Sequence, residues 1–243
     1  MRLFRCIAKM ATPEVSGLRY KYLERTEAFK EDSLTKKEPF SLFREWFEEA
    51  LHDKIVDEPN AMCLSTVDNS GQVSSRYVLM KGYTDEGLSF FTNYESRKAM
   101  DMLNNPKVAL NFYWYPHKRQ IRIEGTVTKV SENESEEYFR SRPIESQMSA
   151  SASAQSQRVP SRAHLDRLVE GVQKKTEADD GKVPMPNWGG YFVKPHRFEF
   201  WQGQSNRLHD RIVFRRLADA ATDVDGTLTK KGDNGWVFER LAP

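Results

Sequence analysis

Residues 198–214 read Phe-Glu-Phe-Trp-Gln-Gly-Gln-Ser-Asn-Arg-Leu-His-Asp-Arg-Ile-Val-Phe. Both ends of this stretch alternate as β-strands do, and the Gly-Gln-Ser-Asn segment between them is typical of a turn. Trp201, Arg207, His209 and Arg211 crowd around that turn. An aromatic ring beside several hydrogen-bond donors would suit a planar, negatively charged ligand.

Working outward, the sequence predicts a mainly β protein with inserted helices, an α+β chain whose strands suggest a barrel. Strands are predicted at 61–67, 73–80, 88–92, 108–115, 120–130, 190–193, 197–201, 211–217 and 236–241. Helices are predicted at 40–51, 96–103 and 131–141 and after Ser161. With no repeat and no clean boundary, we expect a leader over residues 1–36, partly disordered, and one domain over 37–243.

Composition excludes several classes of partner. Lysine and arginine total 37 against 35 acidic residues, which gives a net charge of +2. This charge does not indicate that the protein binds nucleic acid or a membrane surface. No apolar run reaches the roughly 20 residues that span a bilayer. Cys6 and Cys63 fit neither a disulfide framework nor a zinc site, so we expect no metal and a cytoplasmic location. Three basic residues in segment 1–13, with no acid, leave mitochondrial targeting as the alternative.

Arg97 and Lys98 lie at the predicted start of a helix that Ser96 would cap. Unpaired main-chain N–H groups at this end already favour an anion, and two cations there oppose the helix dipole. A phosphate here would be held by the two cations, by the unpaired N–H groups and by the positive end of the helix dipole. The alternative is that the two basic residues form a solvated surface.

Arg76 and Lys81 flank an apolar strand. The two-residue period of a strand predicts that they point to opposite faces unless a bulge intervenes. They would then serve different ligands, or simply mark the ends of a buried strand.

Tyr138 and Arg142 lie four residues apart on one helical face, with Ser146 just beyond Pro143. Two hydroxyls and a guanidinium suit a phosphomonoester, although such a Tyr–Arg pair is commonly a surface stack. The Ser/Ala/Gln-rich composition of 146–157 predicts a flexible linker.

His209 stands two residues from Arg207 and two from Arg211, so all three share a face if the strand is regular. The two arginines should lower the pKa of His209 and favour its neutral form. A structural histidine is the alternative, and no catalytic triad or glycine-rich nucleotide loop accompanies it.

These segments together resemble the pyridoxine 5′-phosphate oxidase family, from about Arg19 to the end of the chain. The most specific words are Phe200-Trp-Gln-Gly-Gln-Ser-Asn-Arg-Leu-His-Asp-Arg211, Asn93-Tyr-Glu-Ser-Arg-Lys98, Ser141-Arg-Pro143, Trp188-Gly-Gly-Tyr191 and Glu239-Arg-Leu-Ala-Pro243. The resemblance implies a split β-barrel that binds FMN at the interface of a homodimer, each site drawing on both subunits.

The resemblance also assigns roles by position. It implies FMN contacts at Arg76, Tyr77, Val78, Leu79, Phe91, Thr92, Arg97, Lys98, Gln120, Gln155, Ser156, Trp201 and Arg211. It implies substrate contacts at Lys81, Tyr138, Arg142, Ser146, Arg207, Leu208 and His209, with Arg207 and His209 as the catalytic pair beside the pyridine ring. Arg19 and Tyr22 resemble an N-terminal segment that closes over the ligand.

The implied reaction oxidises pyridoxine or pyridoxamine 5′-phosphate to pyridoxal 5′-phosphate, with oxygen as the electron acceptor and hydrogen peroxide as the second product. Two alternatives stay open at this point. One is a non-catalytic flavin or pyridoxal-phosphate carrier, and the other is a nucleic-acid-binding module that uses the basic run 211–216.

Overall fold

The computed structural model describes residues 17, 21–22, 28–217 and 224–243. Within these ranges the chain is α+β. The helices are α1 (Pro39–His52), α2 (Arg97–Asn104), α3 (Glu132–Ser141), α4 (Ile144–Ala152) and α5 (Arg162–Ala178). The strands are β1 (Ala61–Val67), β2 (Val73–Leu79), β3 (Gly82–Thr84), β4 (Gly87–Asn93), β5 (Lys107–Trp114), β6 (Arg119–Lys129), β7 (Trp188–Gln202), β8 (Asp210–Arg216), β9 (Thr229–Lys231) and β10 (Trp236–Arg240). No helix in the described part of the chain is both long enough and apolar enough to cross a bilayer.

The strands form one antiparallel sheet that forks at β7. Its main path runs β2-β1-β5-β6-β7-β8-β10-β9, and β4 joins it by pairing with β7. The first part of β7 pairs with β4 and the last part with β8, while β6 follows β7 along nearly its whole length. The sheet is therefore split at this strand and does not close, which confirms the split-barrel class and leaves β2 as an edge strand.

Helix α1 covers the inner face of the sheet. Glu38 caps the helix by accepting hydrogen bonds from the N–H groups of Phe40 and Ser41. Phe43 and Trp46 are buried, and the ring of Trp46 meets that of Phe200 at 5.3 Å between centroids. Each such aromatic side chain stabilises the fold by about 1.5–3 kcal/mol through burial, so this face fixes the position of β7.

Two sequence predictions are wrong in detail. Residues 146–157 are not a linker, because α4 occupies most of them and buried Gln147 donates to the carbonyl oxygens of Arg140 and Arg142. The strands predicted at 190–193 and 197–201 are one strand, β7. The pairing with β6 shifts between Glu124 and Gly125, and this bulge absorbs the irregularity that the pattern suggested was a break.

Candidate active site

A cavity of about 830 Å³ opens along edge strand β2. The end of β4, the start of α2, the end of α3 and helix α4 close its other sides. We call it the β2 cavity. The predicted site residues that line it are Arg76, Tyr77, Val78, Leu79, Lys81, Phe91, Thr92, Lys98, Tyr138, Arg142, Ser146 and Gln155.

Lys98 is a buried cation at one end of the β2 cavity. Ser96 caps α2 through the N–H of Ala99, which places Lys98 in the first helical turn with 9% of its surface exposed. Its Nζ lies 2.8 Å from Gln155 Oε1 and 3.2 Å from Thr92 Oγ1. Within the described ranges no carboxylate lies within ion-pair distance of it. Burial, with a smaller contribution from Arg76, lowers the pKa of Lys98 to about 8, and a bound anion would stabilise its charged form.

Arg97, the neighbour of Lys98, does not line the β2 cavity. Its side chain is exposed, and its main-chain N–H donates to Ser156 Oγ at 3.1 Å. Ser156 has a φ of 74°, so the loop after α4 turns sharply to bring this hydroxyl to the start of α2. Ser156 and Arg97 therefore border the cavity rather than form its wall.

Arg142 holds an unused donor on the opposite wall. It follows the last residue of α3, and its guanidinium carbon lies 4.9 Å from the centre of the Trp188 ring. Its Nη1 is buried and has no hydrogen-bond partner among the described residues. Burial lowers the pKa of Arg142, with Tyr138 acting in the opposite direction. Leaving a charged donor buried and unpaired is costly, so this group is suited to an anionic ligand.

The aromatic rings of Tyr138, Phe91 and Trp188 stack on one another along this wall. Phe91 and Tyr138 lie 4.0 Å apart between ring centres, and Trp188 stacks 5.4 Å from Phe91. A Cβ added to Gly190 would come within 2.8 Å of the Phe91 ring. The absence of a side chain at Gly190 therefore lets the ring of Phe91 lie against β7, where it stacks on Tyr138.

Arg76 and Lys81 both line the β2 cavity, and that they serve different ligands there stays a prediction. Strand β2 ends at Leu79, and Lys81 lies beyond it, where its N–H donates to the carbonyl oxygen of Ser89. The two-residue period no longer applies across that break. Arg76 is anchored by a 2.8 Å hydrogen bond to Thr66 Oγ1.

A second group of predicted residues surrounds residues 203–209, which we call the 203–209 loop. The rings of Trp201 and His209 lie 4.9 Å apart, and Tyr22 meets both edge-on at 6.2 and 5.8 Å. Ser205 binds both main-chain groups of Tyr22, because its Oγ accepts from the N–H at 3.1 Å and donates to the carbonyl at 2.8 Å. The N-terminal segment is thus attached to this loop at Tyr22, whereas Arg19 lies outside the described residues.

His209 lies before the strand rather than in it. Strand β8 begins at Asp210, and Arg207 has a φ of 68°, so the regular strand needed to align Arg207, His209 and Arg211 is absent here. The Nδ1 atom of His209 accepts a hydrogen bond from the N–H of Gln204 at 2.9 Å. Burial and, to a smaller extent, Arg207 lower the pKa of His209. The predicted direction of this pKa shift is confirmed, with burial as the larger cause.

Arg211 shares a face of the sheet with Trp201 and Gln120, since these three residues are paired in register across β8, β7 and β6. Glu199 binds the Nε and Nη2 atoms of Arg211, each at 2.8 Å. Leu208 is 68% exposed. Along the sheet path, β7 is four strands from β2. The structure therefore does not bring Gln120, Trp201, Arg207, Leu208, His209 or Arg211 into the β2 cavity of the same chain.

The basic run after Arg211 does not form a free cationic surface. Arg215 pairs with Glu239 at 2.9 Å. Arg216 donates to the carbonyl oxygen of Asn234 and lies over the ring of Trp236. These internal contacts argue against the nucleic-acid alternative, because phosphate-binding arginines need free donors.

Several residues at the two groups were not assigned by sequence reasoning. Asn93, Glu145, Ser149 and Ser153 line the β2 cavity, and Gln204 contacts His209. The family motifs quoted above contain Asn93, Trp188 and Gln204, so the sequence could have identified these three residues. The residues on α4 gave no such signal, because their composition predicted a linker.

An α+β sheet split at β7, with a cation-lined cavity along its edge, defines a protein of the split-barrel class. Solved structures of that class are similar. PhzG from Burkholderia lata 383, in complex with tetrahydrophenazine-1-carboxylic acid, matches with a TM-score of 0.73 and 26% identity over 88% of this chain and 97% of its own. A pyridoxamine 5′-phosphate oxidase-related, FMN-binding protein from Nostoc punctiforme PCC 73102 shares the fold at a TM-score of 0.59 and 16% identity, covering 83% of this chain and 97% of its own.

The sequence comparisons are more specific. The family model described as pyridoxamine 5′-phosphate oxidase matches residues 48–176, and that of the pyridoxine 5′-phosphate oxidase C-terminal dimerisation region matches 188–243. A pyridoxine/pyridoxamine 5′-phosphate oxidase of Bombyx mori is 48% identical, covering 95% of this chain and 90% of its own. The pyridoxine-5′-phosphate oxidase of Bos taurus is 45% identical, covering 96% and 89%. The chain therefore belongs to the pyridoxine/pyridoxamine 5′-phosphate oxidase family and is an enzyme of that family.

Proposed function

We propose that this chain oxidises pyridoxine 5′-phosphate and pyridoxamine 5′-phosphate to pyridoxal 5′-phosphate, using bound FMN, with oxygen as the electron acceptor and hydrogen peroxide as the second product. The names of the relatives support the substrate class. The observation that carries the proposal is the buried Nη1 of Arg142, which faces no acceptor in the described part of the chain. A substrate phosphate would supply that acceptor.

The residues present fit the phosphate of FMN at one end of the β2 cavity. Lys98 is a buried cation held only by neutral oxygens, and Arg76 approaches from β2. Gln155 and Thr92 complete a set of donors and acceptors there, with Ser156 and Arg97 at the border. Bound FMN would supply the ring that accepts a hydride equivalent, and these side chains would bind and orient it.

The substrate phosphate would lie at the other end, between Lys81, Tyr138, Arg142 and Ser146. These side chains offer an ammonium, a guanidinium and two hydroxyl groups around one opening. Charged donors bind phosphate oxygens strongly, and Arg142 already lies over Trp188 in a fixed orientation. The task of this chain is then to hold the reacting carbon of the substrate against the cofactor.

A homodimer explains why the second group lies away from the β2 cavity. The matched dimerisation region covers residues 188–243, which include the 203–209 loop and Arg211. We propose that a second copy brings its Gln120, Trp201 and Arg211 to the cofactor and its Arg207, Leu208 and His209 to the substrate. Each of two equivalent sites would then use both subunits.

The experiment that tests this function uses the purified protein reconstituted with FMN. Its flavin absorbance should bleach when pyridoxine 5′-phosphate is added without oxygen and return when oxygen is admitted. A protein that cannot be reconstituted, or whose flavin stays oxidised with both substrates, would contradict the proposal and would favour the carrier alternative.

Arg142→Ala tests the assignment of the substrate phosphate. A hydrogen bond to a charged group contributes about 1.5–3 kcal/mol, so we expect KM to rise roughly 10- to 100-fold. Steady-state kinetics measures this, with Arg162→Ala as the control because its side chain is 85% exposed on α5. An unchanged KM with a collapsed kcat would remove Arg142 from the phosphate site.

The cytoplasmic location and the division into a leader and one domain remain predictions. Fractionation of cells that produce the full chain would test the location.

A further inference from the structure

The ring of His209 is fixed in one tautomer by a main-chain group. The N–H of Gln204 lies 2.9 Å from Nδ1 of His209. A main-chain N–H can only donate, so Nδ1 must carry its lone pair toward it. In the neutral ring the proton is therefore on Nε2, which has no hydrogen-bond partner in the described part of the chain.

The side chain of Gln204 is held by Asp210, whose carboxylate is bound from two further parts of the chain. It is 2% exposed, and its Nε2 donates to Asp210 Oδ2 at 2.8 Å. The same carboxylate accepts the N–H of Phe29 at 2.9 Å and Nη1 of Arg240 at 2.9 Å. Phe29 and Arg240 thus hold the carboxylate of Asp210, and Asp210 holds Gln204, which contacts His209.

The surroundings of His209 keep it neutral. Among the described residues, the charged or titratable groups that face it are Arg207 in its own loop, Asp210 on β8 and Tyr22 of the N-terminal segment. Burial and Arg207 lower its pKa, while Asp210 opposes them. Protonation at Nδ1 would also place an N–H against the N–H of Gln204, which would break the hydrogen bond.

We propose that His209 acts as a fixed hydrogen-bond donor through Nε2 to an oxygen of the bound substrate, and not as a base, and that Gln204 is the positioning residue that sets this tautomer. The inference rests on the proposed function only in placing a substrate oxygen opposite Nε2. The hydroxyl proton released by an alcohol substrate then goes to water, because Nε2 already carries a proton.

Two substitutions of His209 separate a donor from a base. The amide nitrogen of His209→Gln reaches the place of Nε2, whereas that of His209→Asn reaches only the place of Nδ1. We expect kcat/KM to fall roughly 10- to 100-fold for Asn and less than about 10-fold for Gln, because Gln keeps the donor. Equal loss in both variants would overturn the donor role, since neither amide can act as a base.

The tautomer can be read without any activity. In protein with ¹⁵N-labelled histidine, the His209 signals, assigned by their loss in His209→Asn, should show a bare Nδ1 and a protonated Nε2 at neutral pH. Gln204→Met removes the bond to Asp210 at similar volume, and we expect it to mix the tautomers and move the pKa of His209 back toward its ordinary value. A protonated Nδ1 in the unsubstituted protein would overturn the proposal whether or not the enzyme turns over. Unchanged signals in Gln204→Met would remove Gln204 as the positioning residue.

Discussion

The β2 cavity and the 203–209 loop differ in how their buried charged groups are bonded. In the cavity, Arg142 has a buried donor without a partner and Lys98 is a buried cation without a carboxylate, within the described ranges. In the loop, Gln204 and Ser205 bind other parts of the same chain, although the buried Oε1 of Gln204 has no partner in the described ranges. The cavity is thus built for a charged ligand that comes from outside, whereas the loop is an internally bonded wall that such a ligand would meet.

Mixed dimers give the largest expected effect on this comparison. Arg142→Ala changes the cavity and Arg207→Ala the loop, and each homodimer should turn over slowly at a substrate concentration well below the KM of the Arg142→Ala variant. If a site uses the cavity of one subunit and the loop of the other, one of the two sites in each mixed dimer is unsubstituted, so purified mixed dimers should regain about half of the sites. The two variant chains are co-expressed with different tags and the mixed dimers are purified through both tags. Their turnover measures this restoration.

The control is a mixture in which both chains carry Arg142→Ala. Activity in the mixed dimers no higher than in the two parent homodimers would show that cavity and loop do not share a site across subunits.

Stability should separate the two regions next. Asp210→Ala removes the acceptor for Gln204, Phe29 and Arg240, so we expect the free energy of unfolding to fall by about 3 kcal/mol. Arg142→Ala removes a side chain whose Nη1 has no partner in the described chain, and loses mainly its contact with Trp188. Its effect should stay within about 1 kcal/mol.

Urea denaturation of the FMN-free protein measures both variants. Equal losses in the two would erase the distinction between the unpaired Arg142 of the cavity and the bonded Asp210 behind the loop.

The pH dependence of cofactor binding sharpens the description of the cavity. The pKa of Lys98 in the ligand-free protein is about 8, below its ordinary value of 10.5. A phosphate binds the charged form, so above about pH 8 the Kd of FMN should rise by up to about tenfold per pH unit. Folding responds with the opposite sign, because the unfolded chain holds more protons between pH 8 and 10.5 and the ligand-free protein gains stability there.

Flavin fluorescence quenching from about pH 7 to 9.5 gives the Kd values. Lys98→Met should bind more weakly with a flatter profile, and Lys174→Met on the exposed face of α5 serves as the matched control. An unchanged slope in Lys98→Met would assign the titration to another group.

The smallest expected effect concerns the attachment of the N-terminal segment to the loop. Ser205→Ala removes both hydrogen bonds to the main chain of Tyr22, at about 1 kcal/mol each, while Ser205→Thr keeps the hydroxyl. We expect faster amide exchange at Tyr22 in the alanine variant and little change in the threonine variant. Equal exchange in both would show that the hydroxyl does not hold the segment.

Sequence reasoning located most of the cavity but not its shape. Tyr138 and Arg142 were paired correctly by their four-residue spacing, since this spacing is local to one helix. Arg76 and Lys81 were expected at the two ends of one strand, but β2 ends at Leu79, because the end of a strand depends on its pairing with β1, which no local period reveals. Helix α4 was taken for a linker because Ser, Ala and Gln say little about structure until Gln147 and Met148 find their packing partners.

The sequence by itself determined the fold class, the family and the residue types of the site, because alternation, capping and specific words are properties of neighbouring residues. Only the tertiary structure decided that these residues form two groups, one around the β2 cavity and one around the 203–209 loop. It also decided which donors are already used, such as the N–H of Gln204, and which are free within the described chain, such as Nη1 of Arg142. Burial and hydrogen-bond satisfaction depend on residues distant in sequence, and these two quantities set the pKa values and the unmet charge from which the function was inferred.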